Sequence, residues 1–464
     1  MSGVGPRRRT LLGAGVASSA LALAGCERVA AAIPGGWIGA GVDRGHRLRQ
    51  APKALAHGAP TRRCAVAIVG GGIAGLAAAR ALIRAGIDDF RVFDLEDRAG
   101  GNARGHAIDG IRCPLGAHYL PLPGPEAHEV AELLHELGIA RTEHGRTVYD
   151  ERQLVHAPQE RVFVPEAQGG GRWQEGLLPI DDAGPQTLAQ LRRFAAELRA
   201  LQGAASFAMP TLRSTWSAGL AALDAQTFAG WLDAKGYDDP LLRGYLDYAC
   251  RDDYGAGAAR VSAWAGIHYF ASRHGFHAPG DDEPDGPGDG VLTWPEGNAH
   301  LAERLAAGVG DRFVAAGLVG RIAPARHEVE MQVGDERWVA QRAIVCVPLF
   351  VAMRIVDPPP APLAALGPRL DYAPWLVSNV HLRAALVDRP GPAAAWDNVI
   401  AGSAALGYVD AQHQALRSVA GATVLTHYWA LGGSTQAEGQ AHRKRLLESP
   451  WNSWRDAVVA DLAV

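Results

Sequence analysis

The chain has 464 residues, of which 48% are hydrophobic and 20% charged, and this length suits two or three globular domains. Its formal net charge of -4 indicates no polybasic surface, so we expect no nucleic-acid partner. Its apolar runs fall short of the ~18–20 residues that span a bilayer. The five cysteines form no CxxC pair, and no metal site is predicted.

The first 26 residues have the layout of an export signal. Three arginines at positions 7–9 precede a weakly apolar stretch from Leu11 to Leu23, as in secretory signals. The paired arginines followed by TLL resemble a twin-arginine signal, and the tetrapeptide LAGC ending at Cys26 resembles a bacterial lipobox. These resemblances imply export through the twin-arginine machinery to the periplasm and membrane anchoring through a lipidated Cys26. The alternative is an N-terminal helix that stays in place.

The next part of the chain changes from a linker composition to a regular pattern. Residues 27–61 are rich in Gly, Pro, Ala and Arg without sustained periodicity, which predicts a tether. Apolar periodicity then predicts a strand at Ala65–Val69, a helix at Ile73–Ala85 and a strand at Arg91–Leu95. This β-turn-α-β order is typical of the start of a Rossmann-type domain.

Three glycines occupy the turn between the first strand and the helix. Gly70, Gly72 and Gly75 form G-x-G-x-x-G, in which the first permits a tight turn, the second admits a pyrophosphate and the third allows helix and strand to pack closely. The N-terminus of the helix favours the phosphate charge. Asp94, at the end of the second strand, is placed to accept hydrogen bonds from ribose hydroxyls. The motif therefore predicts a dinucleotide cofactor.

Further elements follow in chain order. Helical periodicity predicts helices at Glu126–Leu137, Thr187–Leu201, Phe228–Ala234 and Arg260–Ser272. Strands are predicted at Val329–Val333, Trp338–Val347, Trp375–Leu382 and Ala422–Ala430, and two helical segments close the chain.

The sequence DLEDRAGGN, which begins at Asp94, extends the dinucleotide motif. Its acid, its Arg98 and its doublet Gly100-Gly101 resemble the signature of the flavin-containing amine oxidase family, which includes monoamine and polyamine oxidases and phytoene desaturases. The resemblance implies FAD as the cofactor, with Arg98 and the doublet lying against its phosphates. Asn102 stands where the family usually has arginine.

Other segments match the family in the same order along the chain. The segment PLGAHY, with Gly116, Ala117, His118 and Tyr119, is similar to the one that runs under the flavin ring. TWPEGN at 293–298 resembles a family turn before a helix, Val319 resembles the valine whose backbone meets adenine, and AIVCVP at 343–348 resembles a strand that returns to the FAD domain.

Two departures from the family pattern bear on activity. Many members place a lysine near the flavin in a central strand, but the corresponding strand at 375–381 contains none; the lysines are Lys53, Lys235 and Lys444. Members usually end with a Gly-Glu segment, a Gly-rich turn and a small-residue helix, whereas this sequence ends ESPWNSWRDAVVADLAV. We therefore expect weaker FAD binding and a more exposed flavin. Either the sequence is a truncated form of a longer protein, or another segment or a partner covers the ring.

These observations predict an α/β fold with a Rossmann-type FAD-binding domain interleaved with a mixed α+β substrate domain. The predicted segments are a signal at 1–26, a tether at 27–61, the FAD-binding domain at 62–145 and 286–350, and the substrate domain at 146–285 and 351–464. Aromatic side chains are the natural walls for a small substrate. Besides His118 and Tyr119, the candidates are Tyr245, Tyr248, Trp264, Tyr269, His427 and Trp429.

The predicted reaction is hydride transfer from a C–N or C–C bond of a small substrate, an amine being one candidate, to the flavin. No catalytic acid or base is assigned to a residue. One alternative is a non-catalytic exported protein that keeps the fold as a binding or partner module. The other is a nicotinamide-dependent dehydrogenase, which the glycine doublet and the export signal disfavour.

Overall fold

The computed structural model describes residues 33–39, 41–50, 60–167, 169–273, 275–279, 290–415, 417 and 419–463. The predicted signal, with Cys26, lies outside the described residues. The chain divides into two units, of which the first ends at Ile38 and is described only at 33–38, as exposed chain without regular secondary structure. The second unit begins at Gly39. None of the helices within the described ranges is long and apolar enough to cross a membrane.

The second unit contains the helices and strands that the structure describes. The helices are α1 Val42–Gln50, α2 Ile73–Arg84, α3 His128–Glu136, α4 Pro185–Ala204, α5 Ala218–Asp224, α6 Phe228–Ala234, α7 Pro240–Tyr254, α8 Ala263–Ala271, α9 Ala299–Val309, α10 Leu349–Ile355, α11 Ala361–Leu366, α12 Gln436–Glu448 and α13 Trp451–Leu462. The strands are β1 Thr61–Val69, β2 Phe90–Phe93, β3 Gly105–Ile108, β4 Ile111–Pro114, β5 Tyr119–Pro121, β6 Ala140–Glu143, β7 Arg146–Tyr149, β8 Glu160–Pro165, β9 Gly171–Glu175, β10 Val291–Thr293, β11 Phe313–Val314, β12 Val319–Pro324, β13 Val329–Val333, β14 Glu336–Val345, β15 Trp375–Leu382, β16 Asp397–Ile400, β17 Tyr408–Asp410 and β18 Thr423–Ala430.

The first six-stranded sheet has the order β11-β2-β1-β14-β13-β12. Strands β11, β2, β1 and β14 are parallel to one another. Strand β13 pairs antiparallel with β14, and β12 pairs antiparallel with β13. A parallel sheet is usually covered on both faces, and here β1 is apolar enough to be buried on both. Ile68 packs in a cluster with Leu76 of α2 and Val309 of α9, whereas Val69 packs on the other face with Met331 and Ile355.

The second six-stranded sheet has the order β15-β18-β17-β16-β8-β9. It is antiparallel except for β16 and β8, which run parallel. A separate helical layer, α4 to α8, is held together by a core that includes Phe194, Phe228 and Leu246. The α/β fold class is therefore confirmed.

The two sheets use different parts of the chain. The first sheet takes strands from the predicted FAD-binding segments, with β1 beginning one residue early at Thr61, and the second takes strands from the predicted substrate segments. The domain boundaries themselves stay a prediction. A difference concerns the predicted tether, because residues 42–50 form α1. Its tertiary contacts stabilise this helix, which the loop-like composition of the segment did not indicate.

Candidate active site

The first glycine turn depends on the absence of side chains. Gly70 has a φ of +110°, and a Cβ added there would lie 2.4 Å from the carbonyl oxygen of Cys346. A Cβ at Gly75 would lie 1.8 Å from the oxygen of Gly70. The turn and the helix therefore pack at a distance that only glycine permits.

A second glycine turn lies against the first. Gly72 and Gly100 form a parallel bridge, and the Gly100 amide donates to the Gly71 oxygen at 2.8 Å. Gly101 has a φ of +55°, and a Cβ there would lie 3.1 Å from the Gly72 Cα. Helix α2 begins at this point without a side-chain cap. Two bare backbone turns beside a helix N-terminus fit the diphosphate of a dinucleotide, as predicted for FAD.

Asp94 and Arg98 occupy different positions in this loop. The Asp94 carboxylate accepts hydrogen bonds from the Gly71 amide at 2.6 Å and the Glu96 amide at 2.8 Å, so it shapes the turn. Its contact with a ribose stays a prediction. Arg98 is exposed.

Arg104 contacts the second glycine turn, and the sequence analysis did not identify it as part of the site. Its Nε donates to the Gly101 oxygen at 3.1 Å, and its guanidinium lies 3.6 Å from the Glu96 carboxylate. It stands two positions beyond Asn102, where the family usually has arginine. An arginine two positions after the one expected at 102 was the sequence feature that could have identified it.

The PLGAHY segment (Pro114–Tyr119) is held from the side of the first sheet by the TWPEGN turn. Asn298 donates its backbone amide to the Ala117 oxygen at 3.0 Å and its Nδ2 to the Tyr119 oxygen at 2.8 Å. The Thr293 hydroxyl donates to the carbonyl between them at 2.8 Å. Two motifs that lie about 180 positions apart in the sequence thus form one structure.

The second sheet holds the same segment from the other side. Asn379 of β15 donates its Nδ2 to the Pro114 oxygen at 2.9 Å, and its Oδ1 accepts from the Thr426 hydroxyl at 2.8 Å. The Tyr428 hydroxyl of β18 donates to the Gly116 oxygen at 2.9 Å. Asn379 lies in the strand that lacks the family lysine, and the sequence analysis did not identify it. Its polar side chain in a strand was the feature that could have marked it.

Gly116 and Val319 complete the predicted cofactor residues. A Cβ at Gly116 would lie 2.2 Å from the Asn102 oxygen, so the PLGAHY segment passes close to the second glycine turn. Val319 is buried at the start of β12 and packs in a cluster with Val69 and Phe93. Its contact with adenine stays a prediction.

A cavity of about 270 Å³ adjoins the end of the PLGAHY segment. Its wall includes these ring side chains: His118, Tyr119, Tyr245, Tyr248, Tyr269, Phe270, Phe276, Trp396, Tyr408 and Tyr428. Five of these were candidates from the sequence, and helix α7 contributes two of them. Phe270, Phe276, Trp396, Tyr408 and Tyr428 were missed.

Three other aromatic candidates lie away from this cavity. Trp264 packs on His268, with ring centroids 4.8 Å apart. His427 is fully buried, and its Nε2 lies 2.9 Å from the Asp461 carboxylate of α13. Trp429 packs edge-on against Trp454 of the same helix. His427 and Trp429 therefore serve to attach α13 to the sheet.

His118 is the central ring of the cavity wall near the PLGAHY segment. Its centroid lies 4.5 Å from that of Tyr428 and 5.4 Å from that of Trp396. Burial lowers the pKa of His118 to about 3, so the ring is neutral at physiological pH. Burial also raises the pKa of Tyr119 and Tyr428 above the usual range, so both hydroxyls keep their protons.

Three carboxylates also line the cavity: Glu160, Asp252 and Asp397. Glu160 and Asp397 are direct partners in the parallel pairing of β8 and β16, an arrangement in which like charges destabilise a sheet. Burial and the nearby charges of Glu160 and Asp252 raise the pKa of Asp397 well above its ordinary value. Burial and then Asp253 raise the pKa of Asp252 to about 7. This acidic cluster was not found from the sequence.

A single arginine, Arg273, faces the same cavity in the described part of the wall. Its guanidinium donates to the Asp253 carboxylate at 2.7 Å and lies 4.6 Å from the centre of the Tyr269 ring. The Tyr269 hydroxyl in turn lies 3.4 Å from Asp252. Arg273 is thus paired with Asp253, and the acidic and aromatic groups of the described wall suit a cationic ligand.

Comparison with protein families and sequences agrees with this geometry. Residues 73–410 match the family described as flavin containing amine oxidoreductase. AofH of Mycobacterium tuberculosis, designated a flavin-containing monoamine oxidase, is 27% identical over 302 residues, which make up 64% of this chain and 60% of AofH. Tryptophan 2-monooxygenase of Pseudomonas savastanoi is 39% identical over 87 residues, 18% of this chain and 15% of that protein.

Solved structures share the fold. A putrescine oxidase with bound putrescine superposes with a TM-score of 0.63 at 21% identity, covering 87% of this chain and 82% of that chain. Cyclohexylamine oxidase from Brevibacterium oxydans gives a TM-score of 0.58 at 20% identity, covering 86% of this chain and 81% of that chain. The family match confirms the resemblance seen in the glycine signatures, with FAD as the cofactor.

Proposed function

Because the chain belongs to the flavin-containing amine oxidoreductase family, we propose that it is an FAD-dependent enzyme that oxidises a small cationic amine bound in the cavity. The flavin, when bound, would accept a hydride from a C–H bond of the C–N or C–C unit of the substrate that is oxidised. The protein contributes the binding site, the orientation of the substrate and the exclusion of water.

The Glu160–Asp397 pair is the observation that carries this proposal. Two carboxyl groups side by side on adjacent strands cost stability when both are charged. Burial and the neighbouring Glu160 and Asp252 therefore raise the pKa of Asp397, and a bound cation favours the charged form of both groups. Asp252 adds a third carboxylate in the same cavity. Several acidic groups in one cavity favour a substrate with two ammonium groups over one with a single ammonium group. Putrescine, the ligand of one structural relative, has this chemistry.

The aromatic walls support the same class of substrate. The ring faces of Tyr245 and Tyr248 lie 10° from parallel with centroids 6.5 Å apart, and a cation is attracted to such faces. His118 is neutral and adds no repulsion to a bound ammonium. We assign no catalytic acid or base among these residues.

The first test is the flavin spectrum of the purified full chain, mixed anaerobically with putrescine and, separately, with cyclohexylamine. We expect bound FAD whose visible absorbance is bleached by the amine, with putrescine effective at the lower concentration. Flavin that no amine bleaches would contradict the proposal and favour the non-catalytic binding module. A chain that binds NAD and no flavin would favour a nicotinamide-dependent dehydrogenase.

Two matched variants separate the acidic cluster from general charge effects. Asp397→Asn should raise the putrescine concentration for half-bleaching about tenfold or more, as expected for loss of a buried ionic contact worth ~1.4 kcal/mol or more. Its effect on cyclohexylamine should be smaller. Glu175→Gln removes an exposed carboxylate from β9 of the same sheet and should leave both amines unchanged. Equal effects of the two variants would contradict the assignment of Asp397.

We also propose that the protein is exported already folded and loaded with flavin, and then anchored in the periplasm through Cys26. The support is the sequence of residues 1–26, with its arginines and its LAGC tetrapeptide. Cell fractionation tests it. Arg8→Lys with Arg9→Lys should retain the protein in the cytoplasm, and Cys26→Ser should release it from the membrane fraction. Unchanged fractionation of both variants would contradict the proposal.

A further inference from the structure

Helix α1 presents one face to the rest of the second unit. Gly41, Arg44, Gly45 and Leu48 are half-buried, whereas the other residues from Val42 to Gln50 are exposed. The spacing of three and four residues places these positions on one side of the helix. The helix therefore has a defined contact surface despite its polar composition.

The beginning of this surface binds the loop after β2. The Gly41 amide donates to Glu96 Oε1 at 2.7 Å, and the Arg44 guanidinium lies 3.2 Å from Glu96 Oε2 and 3.3 Å from Asp97. Arg104 lies on the same carboxylate at 3.6 Å. Glu96 is only 12% exposed, so salt screens this contact less than it screens an exposed pair.

The other end of α1 contacts a different part of the nucleotide site. Leu48 packs against the cluster that contains Phe93 and Val319. Glu96 lies two residues beyond Asp94, at the carboxyl end of β2, where open α/β sheets bind their ligands. The helix therefore extends from the predicted ribose acceptor to the cluster of the predicted adenine residue.

We propose that residues 41–50 form a strap that closes the adenosine end of the FAD crevice and slows release of the cofactor. The strap lies outside the matched family region, which begins at residue 73. FAD enters or leaves after the strap detaches from Glu96 and from the Val319 cluster. Arg44 is thus a positioning residue that acts through Glu96 on the opening of the crevice.

The test measures FAD release from the full chain after dilution, followed by the rise in flavin fluorescence. Arg44→Ala should release FAD about tenfold faster, corresponding to ~1.4 kcal/mol, and raised salt should speed release from the unaltered protein by less than this substitution does, because Glu96 is largely shielded from solvent. Arg47→Ala removes an exposed arginine from the same helix and should release FAD at the original rate. Arg44→Lys, which keeps the charge, should fall between them.

The thermal midpoint of each FAD-free variant separates strap opening from unfolding. We expect Arg44→Ala and Arg47→Ala to have midpoints within a degree or two of each other, because α1 lies at the edge of the unit. Equal release rates in these two variants, or tighter FAD binding by Arg44→Ala, would overturn the strap. The latter result would mean that the segment competes with FAD. These outcomes do not depend on amine oxidation, so the strap and the proposed activity can fail separately.

Discussion

Asp252 is a cavity residue whose charge changes near neutral pH. Its pKa is about 7 in the folded protein and about 3.9 in an unfolded chain. Between these values unfolding releases a proton, so the free energy of unfolding decreases as the pH rises from 4 to 7. At ~1.36 kcal/mol per pH unit, Asp252 contributes up to about 4 kcal/mol of this decrease.

Asp252→Asn should remove this dependence and stabilise the protein at pH 8, because an amide carries no buried charge. Thermal midpoints at pH 5 and pH 8 measure the change, with Asp335→Asn, an exposed residue of the β13–β14 turn, as the control. The Asp252 variant should lose less stability between the two pH values than the control does. Identical pH dependence in both would show that Asp252 titrates normally. Saturating putrescine should stabilise the original protein more than the Asp252 variant.

The acidic cluster illustrates which residues a sequence leaves unmarked. Glu160 and Asp397 are 237 positions apart, and they become neighbours only through the parallel pairing of two short strands. Neither residue lies in a recognised motif, and the strands that they begin have no unusual sequence feature. The glycines, in contrast, were identified correctly as a turn because adjacent residues determine their geometry.

At the scale of the elements, adding a methyl group to a helix glycine should have opposite effects at two positions, because only one of them packs on the first glycine turn. Gly75→Ala places a Cβ 1.8 Å from the Gly70 oxygen, so the helix must move and FAD binding should be lost or greatly weakened. Gly244→Ala, in α7, meets nothing within 4 Å and should stabilise the helix by up to ~1 kcal/mol. Flavin content and thermal midpoint measure both. If the Gly75 variant retained as much FAD as the Gly244 variant does, the close contact between Gly75 and the Gly70 oxygen would not limit FAD binding.

Local signals explain which elements were predicted. The β1-turn-α2 unit matches the prediction closely because apolar periodicity and glycine punctuation agree there. Helix α7 was missed although Asp239 caps it, accepting from the amides of Leu241 and Leu242, and Pro240 begins it. This is a recognisable helix start. Strands β16 and β17 are too short to show a period, and distant partners stabilise them.

At the scale of the whole molecule, the PLGAHY segment connects the two sheets. Asn298, directly before α9, which packs on the first sheet, binds the segment from one side, and Asn379 of β15 and Tyr428 of β18 bind it from the other. Cofactor that orders this segment should therefore also stabilise strands of the second sheet. The second glycine turn also lies close to this segment, since a Cβ at Gly116 would lie 2.2 Å from the Asn102 oxygen, whereas the strap contacts the loop after β2 and the cluster around Val319.

Hydrogen exchange with and without FAD tests this connection. We expect FAD to slow exchange in the glycine turns and in β15 and β18, while α6, whose core contacts lie in the helical layer, exchanges equally in both states. Asn379→Ala removes the donor to Pro114 and the acceptor of Thr426, and loss of such buried bonds costs ~1–3 kcal/mol. In this variant protection should be confined to the first sheet. If FAD protects only the first sheet of the unaltered protein, the two sheets are not coupled through the PLGAHY segment, and the cavity then forms independently of the cofactor.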